Sequence, residues 1–373
     1  MQKGGGDGMN TAHIVYASDD RFAEIMGISM VSLYANSTDM DEIAVYILDS
    51  GILESNKQKL ELVAENYNRQ KPIWLEAKDI SKEAGMEVMA DRGSRSQYAR
   101  LFVASNLPQG VDRVLYLDCD TIICKSIREL WNLNMHGKTV SALMDAFSPQ
   151  YRVNIGLGRN DIMFNSGVML IDLVRWRMNC YEEKLLWFIR SRNGRIQQGD
   201  QGALNAVLSD DVYCFEPRFN SVTIFYDFAY EDMLTYRKPL NYYEKGELLK
   251  AINEPSIIHF TTSFLSKRPW MRECCHRYTN EWLRYKEMSP WRANALRDDN
   301  RPAWKRYGVR LYRFMPHKIA LCLAGILQAY IRPQINRLML SKKLKKENNS
   351  KGRIDAFSNE QQKENGYLYS DRI

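Results

Sequence analysis

Residues 113–131, RVLYLDCDTIICKSIRELW, decide the fold and pose the first question about function. The run Val114–Leu117 is apolar or aromatic throughout, as expected for a strand that is buried on both faces. Asp118 and Asp120 follow directly where this strand ends. Two carboxylates at positions i and i+2 can reach one hard cation when the chain turns, and oxygen ligands favour Mg²⁺ or Mn²⁺. The stretch therefore predicts a strand that leads into a metal-binding turn.

The same turn has an alternative explanation that involves no metal. Ser126 and Glu129 have the spacing of a capping box, so the two aspartates could belong to a solvated loop before a helix. The place of the turn in the predicted sheet is what favours metal binding.

Strands and helices alternate along the first part of the chain. Apolar strand patterns, separated by segments of helical periodicity, occur in HIVYAS, EIAVYILDSG and KPIWLEAKD. This alternation predicts an α/β fold with a parallel sheet covered by helices on both faces. In such sheets ligands bind outside the carboxyl ends of the strands. Both acidic pairs, Asp19 with Asp20 and Asp118 with Asp120, fall at such ends.

Further along the chain, polar residues interrupt otherwise apolar segments. His259 ends the strand pattern PSIIHF, and a neutral imidazole there would add a nitrogen ligand, which favours Mn²⁺ over Mg²⁺. A purely structural histidine is the alternative. Asn165 lies in FNSGVMLIDL, and Asp200 and Gln201 lie in QGDQGAL. Turn chemistry and helix capping would explain these residues as well as a binding role would.

Composition and cysteine usage limit which classes of protein fit this sequence. The chain has 373 residues, 45% hydrophobic and 26% charged, close to the average for soluble globular proteins. Its seven cysteines have no framework spacing and no CxxC pair, which predicts a reducing compartment rather than a disulfide scaffold or a zinc site. Residues 1–10 contain no apolar stretch, so we expect a leader or tag-like segment and no signal peptide. The polar residues 347–373 are predicted to be disordered.

The net charge of +7 is unevenly distributed. Residues 301–346 contain twelve Lys or Arg and no Asp or Glu, so the remainder of the chain carries −5. This basic segment includes IALCLAGILQAYI, which is too short to span a bilayer of about 30 Å. Basic, aromatic and apolar residues together favour a helix that lies on a membrane surface. A contact with a partner chain or with the catalytic domain is the alternative, and nucleic acid fits poorly because of the apolar bulk.

Six segments of the chain resemble, in the same order, motifs of the family 8 glycosyltransferases: IVYASDDRF, YARL, VLYLDCDTIICKSIRELW, FNSGVMLIDLVRWR, QGDQGALN and HFTTSFLSKRPW. The family includes bacterial lipopolysaccharide galactosyl- and glucosyltransferases. The resemblance implies a retaining, metal-dependent enzyme of the GT-A fold over residues 11–285, with a Rossmann-like, mixed but mostly parallel sheet flanked by helices. The basic residues 286–346 would then form a helical extension for membrane association.

The resemblance also implies roles for individual positions. The donor-site matches are Ala17 and Asp19 at the uracil and ribose, Arg100 beside the donor, Asp145 and Asn165 at the sugar hydroxyls, and Asp200 and Gln201 beside the anomeric carbon. The matched ligands of Mn²⁺, with Mg²⁺ possible, are Asp118, Asp120 and His259. Cys119 would contribute its backbone. Gln201 would line the sugar pocket in a front-face mechanism, although Asp200 is the chemically better nucleophile.

Two positions depart from the family pattern. HFTTSFLSKRPW is longer than the usual segment after the metal histidine and lacks its glycine, so either Lys267 or Arg268 could contact the diphosphate. Arg21 stands where some members have asparagine, which leaves its contact with the nucleotide open.

The function implied by the resemblance is transfer of galactose or glucose from a UDP-sugar to an oligosaccharide or lipid-linked acceptor in cell-surface polysaccharide synthesis. The expected location is the cytoplasm, peripheral on the inner face of the cytoplasmic membrane. A silent UDP-sugar-binding protein is the alternative. A haloacid-dehalogenase-like phosphatase fits less well, because it needs Thr two residues past the second Asp, whereas Thr121 follows Asp120 immediately.

Overall fold

The computed structural model describes residues 11–90, 95–299 and 301–339. The predicted leader, the predicted disordered tail and residues 340–346 of the basic segment lie outside the described residues. The strands of the described part are β1 (Thr11–Ser18), β2 (Glu42–Asp49), β3 (Ile73–Glu76), β4 (Arg113–Leu117), β5 (Thr121–Ile123), β6 (Val140–Met144), β7 (Phe164–Asp172), β8 (Val212–Cys214), β9 (Ser221–Val222) and β10 (Ile257–His259).

A seven-stranded sheet with the order β3-β2-β1-β4-β7-β6-β8 forms the centre of the molecule. Every neighbouring pair is parallel except those of β7, which runs antiparallel to β4 and β6. The sheet is therefore mixed and mostly parallel, and the predicted α/β class is confirmed.

The continuous apolar runs arise because both faces of the sheet are buried. In β4, Leu115 and Leu117 belong to the core on one face, and Val114 and Tyr116 to the core on the other. All four side chains are at most 1% exposed. Since side chains alternate along a strand, burial on both faces requires an unbroken apolar run.

Helices cover both faces of the sheet. The α-helices are α1 (Ala23–Asn36), α2 (Glu54–Asn66), α3 (Ile80–Ala84), α4 (Val103–Asn106), α5 (Arg128–Trp131), α6 (Pro149–Asn154), α7 (Leu173–Met178), α8 (Tyr181–Ser191), α9 (Gly199–Leu208), α10 (Ile224–Asp227), α11 (Tyr230–Arg237), α12 (Lys245–Asn253), α13 (Thr279–Glu287), α14 (Ala303–Phe314) and α15 (His317–Ile326). Helices α1, α2 and α13 pack on one face, and α7, α8 and α9 on the other. A π-helical turn, Leu327–Ile331, follows α15.

Two local features differ from the sequence-based expectation. The segment QYARLFVASN, whose pattern predicts one helix that ends near Pro108, forms a 3₁₀ helix, Ser96–Phe102, followed by the single turn α4. A second, small sheet with the order β5-β10-β9 was not predicted, because strands of two or three residues carry no readable periodicity. In this sheet His259 pairs with Thr121, which places the histidine beside the Asp118–Asp120 turn.

The chain beyond β10 packs back onto the central domain. Trp291 is 2% exposed and donates its indole N–H to Asn56 Oδ1 at 3.1 Å. Helix α15 lies against α11, where Gly325 approaches the backbone of Thr235 so closely that a Cβ would lie 2.5 Å from its carbonyl oxygen. Among the described residues, no helix combines the length and apolar character needed to span a bilayer.

Gly27 in α1 provides a test of this packing. A Cβ on Gly27 would lie 2.3 Å from Cζ3 of Trp291, so Gly27→Ala must displace a buried indole. We expect the free energy of unfolding, measured by urea denaturation, to fall by about 1–3 kcal/mol. Gly246→Ala in α12 is the matched control, because nothing lies within 4 Å of its Cβ and alanine suits a helix. A Gly27→Ala variant as stable as the control would contradict the contact with Trp291.

Candidate active site

The turn after β4 is anchored from both sides. The backbone N–H of Asp118 donates to the Gly167 carbonyl at 2.7 Å, which ties the turn to β7. The Thr121 hydroxyl donates to the Asp118 carbonyl at 2.9 Å and contacts Ser29 Oγ at 3.0 Å. Ser29 in turn contacts the Tyr16 hydroxyl of β1 at 3.0 Å. This buried network fixes the direction in which the two aspartates project.

Asp118, Asp120 and His259 converge on one point. Each offers a ligand atom, and these atoms all lie within 4.8 Å of one another. His259 Nε2 is 3.1 Å from Asp120 Oδ1 and 3.6 Å from Asp118 Oδ2. Octahedral ligands at about 2.1 Å from an ion lie about 3 Å apart, so the cluster has the dimensions of a divalent-cation site.

Hydrogen bonds determine which nitrogen of His259 faces the aspartates. Asn165 Oδ1 accepts the N–H of Gly167 at 3.0 Å, and Asn220 Nδ2 donates to that same oxygen at 2.9 Å. The oxygen of Asn220 therefore faces His259 Nδ1, at 3.1 Å, and accepts its proton. The lone pair is left on Nε2, which is the nitrogen that faces the two carboxylates. A metal ligand needs this arrangement.

Gly167 leaves room for the cluster. A Cβ at this position would lie 2.1 Å from Cε1 of His259 and 2.8 Å from Oδ2 of Asp118. Only a glycine allows β7 to pass this close to both ligands.

Arg100 is a buried cation that the chain itself supplies to the site. Its guanidinium is 7% exposed and contacts Asp118 Oδ1 at 2.8 Å and Asp200 Oδ2 at 2.9 Å. It also lies over the Tyr116 ring, 4.5 Å from the centroid. Burial lowers the pKa of Arg100, but the carboxylates of Asp118 and Asp200 outweigh it and raise the pKa above its ordinary value. Arg100 thus links Asp118 to Asp200, which lies at the start of α9.

A second set of polar side chains lies where β6 ends and α9 begins. Gln201 Nε2 donates to Asp145 Oδ2 at 3.2 Å, and Asn165 Nδ2 approaches the same oxygen at 3.5 Å. The N–H of Ser166 donates to Gln201 Oε1 at 3.3 Å, which fixes the orientation of the amide. Burial raises the pKa of Asp145, and the charge of Arg237 opposes that rise.

The end of β1 lies next to the aspartate turn. Cys119 is buried and donates its thiol to the Ala17 carbonyl at 3.3 Å, and burial raises the pKa of this thiol. Asp19 caps the following turn by accepting the N–H of Arg21 at 3.1 Å, and it pairs with the Arg21 guanidinium at 2.8 Å.

Lys267 and Arg268, between which the sequence did not discriminate, have different surroundings. Lys267 Nζ contacts Glu273 Oε2 at 3.2 Å and Asp299 Oδ2 at 3.8 Å. Arg268 lies 3.4 Å from Asp120 Oδ2 and donates to Thr262 Oγ1 at 2.7 Å. Arg268 therefore faces the candidate metal site, whereas Lys267 is engaged with acidic residues of the later chain.

Comparison with known proteins agrees with this geometry. Residues 13–274 match Glycosyl transferase family 8. The chain belongs to this family. General stress protein A of Bacillus subtilis is 29% identical over 283 residues, which are 75% of this chain and 94% of that protein. Lipopolysaccharide 1,2-glucosyltransferase of Escherichia coli is 25% identical over 290 residues, 77% of this chain and 80% of the enzyme.

Solved structures show the same fold. The galactosyltransferase LgtC, crystallised with donor and acceptor sugar analogues, superposes with a TM-score of 0.62 at 23% identity, over 79% of this chain and 99% of LgtC. The predicted GT-A fold and the predicted family are thus confirmed, and the phosphatase alternative is wrong. A glycosyltransferase of this class uses a sugar-nucleotide donor, a glycan acceptor and a divalent cation, and the cluster of Asp118, Asp120 and His259 is compatible with such a cation.

No sequence pattern pointed to a role for Asn220 or Gly167 in the site. Asn220 follows Arg218 and Phe219 in a segment with no motif of its own, so nothing in the sequence pointed to its contact with His259. Gly167 belongs to the recognised motif FNSG. Its role follows from how closely β7 passes Asp118 and His259, and that approach is visible only in the folded chain.

Asn220→Ala tests the assigned tautomer of His259. Loss of the amide oxygen that accepts from His259 Nδ1 should lower Mn²⁺ affinity about 10- to 100-fold, measured by isothermal titration calorimetry. Asn36→Ala is the matched control: Asn36 Nδ2 also hydrogen-bonds inside the fold, to the Ile123 carbonyl and the Tyr285 hydroxyl, but touches no ligand of the cluster. Unchanged Mn²⁺ affinity in Asn220→Ala would contradict the assignment.

Proposed function

We propose that this chain transfers glucose or galactose from a UDP-hexose to a glycan acceptor of the cell surface, with Mn²⁺ held by Asp118, Asp120 and His259. The observation that carries the proposal is the orientation of His259, whose Nε2 faces two carboxylates while Asn220 Oδ1 lies 3.1 Å from its Nδ1. Two oxygen ligands and one imidazole nitrogen favour Mn²⁺ over Mg²⁺, although Mg²⁺ would also fit.

The neighbouring residues support a division of the donor site. Ala17 and Asp19, at the end of β1, are assigned to the uracil and ribose. Arg268, beside Asp120, is assigned to the diphosphate in preference to Lys267. Asp145 and Asn165 lie beside Gln201 and are assigned to the hexose hydroxyls.

The surroundings of Asp200 and Gln201 favour a front-face mechanism. When bound, the metal would neutralise the charge that develops on the departing diphosphate. Asp200 is buried against Arg100, which stabilises its carboxylate and makes it a weaker nucleophile. The amide of Gln201 is held by Asp145 and Ser166 and would line the sugar pocket. The acceptor hydroxyl would then attack the anomeric carbon on the face that the diphosphate leaves, with retention of configuration.

The C-terminal helices support attachment to a membrane surface. Helix α14 exposes an apolar stripe of Trp304, Tyr307, Leu311 and Phe314, which are between 58% and 90% exposed. Lys305, Arg306, Arg310 and Arg313 lie in the same helix. An amphipathic helix with basic and aromatic residues binds anionic lipid surfaces. We therefore propose a peripheral location on the cytoplasmic membrane's inner face, which suits a lipid-linked acceptor.

Release of UDP from UDP-glucose or UDP-galactose in the presence of Mn²⁺ tests the enzymatic proposal. Asp118→Ala and Asp120→Ala should reduce the rate by roughly 10³-fold or more, because a metal contributes several kcal/mol of charge stabilisation. Asp39→Ala is the matched control, since this carboxylate contacts Ser126 and Arg128 outside the cluster. Normal activity in either cluster variant would contradict the metal role, and a wild-type chain that binds UDP but releases none would favour the silent binding protein.

Flotation with vesicles that contain anionic phospholipid tests the membrane proposal. Replacement of Leu311 and Phe314 by Ser removes two apolar side chains from the stripe and should reduce the floated fraction several-fold. Trp187→Ser in α8 is the control, because Trp187 is 69% exposed but lies outside the basic segment. Equal flotation of wild type and the Leu311→Ser/Phe314→Ser variant would refute attachment through this stripe.

A further inference from the structure

The loop between β10 and Trp270 is the part of the chain that departs from the family pattern. Residues 260–269 form no strand or helix, so backbone pairing alone does not fix their conformation. This loop nevertheless carries Arg268, the cation that faces Asp120. Side-chain contacts must therefore determine where Arg268 lies.

Asp227 makes the contacts that hold the loop from the inside. Its Oδ2 accepts the hydroxyl of Ser263 and its Oδ1 accepts the hydroxyl of Ser266. Ser263 Oγ in turn accepts the N–H of Leu265 at 3.0 Å and closes a local turn. Asp227 is the last residue of α10, so the loop is fastened to a helix that packs in the core. Burial raises the pKa of Asp227. The hydroxyl donors Ser263 and Ser266 oppose this rise, because they stabilise the carboxylate.

A second contact holds the loop from the outside. The Phe264 ring, between the two serines, meets the Tyr312 ring of α14 edge-on with centroids 5.6 Å apart. Gly308, one turn earlier in α14, also lies beside Phe264, whose ring is 3.8 Å from where a Cβ of residue 308 would lie. The loop is thus clamped between α10 and α14.

The clamp determines the position of the Arg268 guanidinium. From this loop Arg268 reaches Asp120 Oδ2 at 3.4 Å and lies over the Trp270 ring at 5.2 Å from the centroid. A guanidinium fork beside a metal-ligand carboxylate suits bidentate recognition of phosphate oxygens. Ser266 and Ser263 lie two and five residues before Arg268. Loss of their hydrogen bonds to Asp227 would therefore release the part of the loop that carries Arg268.

We propose that Asp227 is a positioning residue of the donor site, which fastens the loop through Ser263 and Ser266 and so holds Arg268 where the donor diphosphate binds. This inference rests on the proposed function, because it concerns the diphosphate of the same site. Asp227 itself touches none of the three candidate metal ligands in the contacts that the described residues show.

UDP affinity at saturating Mn²⁺, measured by calorimetry, provides the test in the form of a double-mutant cycle. Arg268→Ala should weaken UDP binding about 10- to 100-fold, the range for a hydrogen bond to a charged group. Asp227→Ala should weaken it about 5- to 20-fold. If Asp227 acts through Arg268, the double variant Asp227→Ala/Arg268→Ala should bind UDP within about twofold of Arg268→Ala alone.

A matched carboxylate separates positioning from general stability. Asp211 also accepts two hydroxyl hydrogen bonds, from Thr139 and Tyr181, but lies beside β8 at the far edge of the sheet. Asp211→Ala should lower the melting temperature and leave UDP affinity within about twofold of wild type. If Asp227→Ala does not fold, Ser263→Ala/Ser266→Ala removes the same two hydrogen bonds from the loop side and should give the same loss.

The possible outcomes distinguish this inference from the function on which it rests. A wild-type chain that shows no Mn²⁺-dependent UDP binding overturns both. Wild-type binding together with unchanged affinity in Asp227→Ala or in the serine variant overturns only the positioning role. Losses that multiply in the double variant also overturn it, because they would mean that Asp227 and Arg268 act independently.

Discussion

The site depends on one electrostatic constraint: Asp118, Asp120 and Asp200 lie close together at the carboxyl end of the central strand β4 and need cations to remain there. Arg100 supplies the internal one, with contacts of 2.8 and 2.9 Å to Asp118 and Asp200. Burial of a guanidinium is costly unless such partners compensate, so the two carboxylates offset the cost of burying Arg100. On the other side, Asp120 faces His259 and Arg268, and a divalent cation placed there would neutralise the two carboxylates that point toward it.

Hydrophobic patterning predicted the central sheet because a strand buried on both faces must be continuously apolar. It therefore located the ends of β1 and β4, and with them Asp19, Asp118 and Asp120. The small sheet could not be predicted from the sequence, since β9 and β5 are only two and three residues long. In the structure that sheet places His259 beside Thr121. The sequence was equally unable to show that Arg268, rather than Lys267, faces Asp120, because the loop is held by contacts such as that between Ser263 and Asp227, which lie 36 residues apart in the chain.

The C-terminal helices are part of the wall around the site rather than a separate arm. Ser148, three residues after Asp145, donates its hydroxyl to the Ala329 carbonyl at 2.7 Å, and Asn154 donates to the Pro333 carbonyl at 2.9 Å. At the other end, Tyr312 of α14 packs on Phe264 of the Arg268 loop. If the exposed stripe of α14 lies on a membrane as proposed, these contacts fix how the sugar side of the site faces that surface. An acceptor anchored in lipid would then reach the site within a defined range of orientations.

We propose that three side chains of the folded chain hold one divalent ion against a nucleotide diphosphate. Anomalous diffraction from crystals grown with UDP and Mn²⁺ measures this most directly. We expect one manganese peak bonded to Asp118, Asp120 and Nε2 of His259, each at roughly 2.0–2.2 Å, with the remaining ligands drawn from the diphosphate. Bound UDP with the manganese peak at other residues, or with Nδ1 of His259 facing the ion, would contradict it.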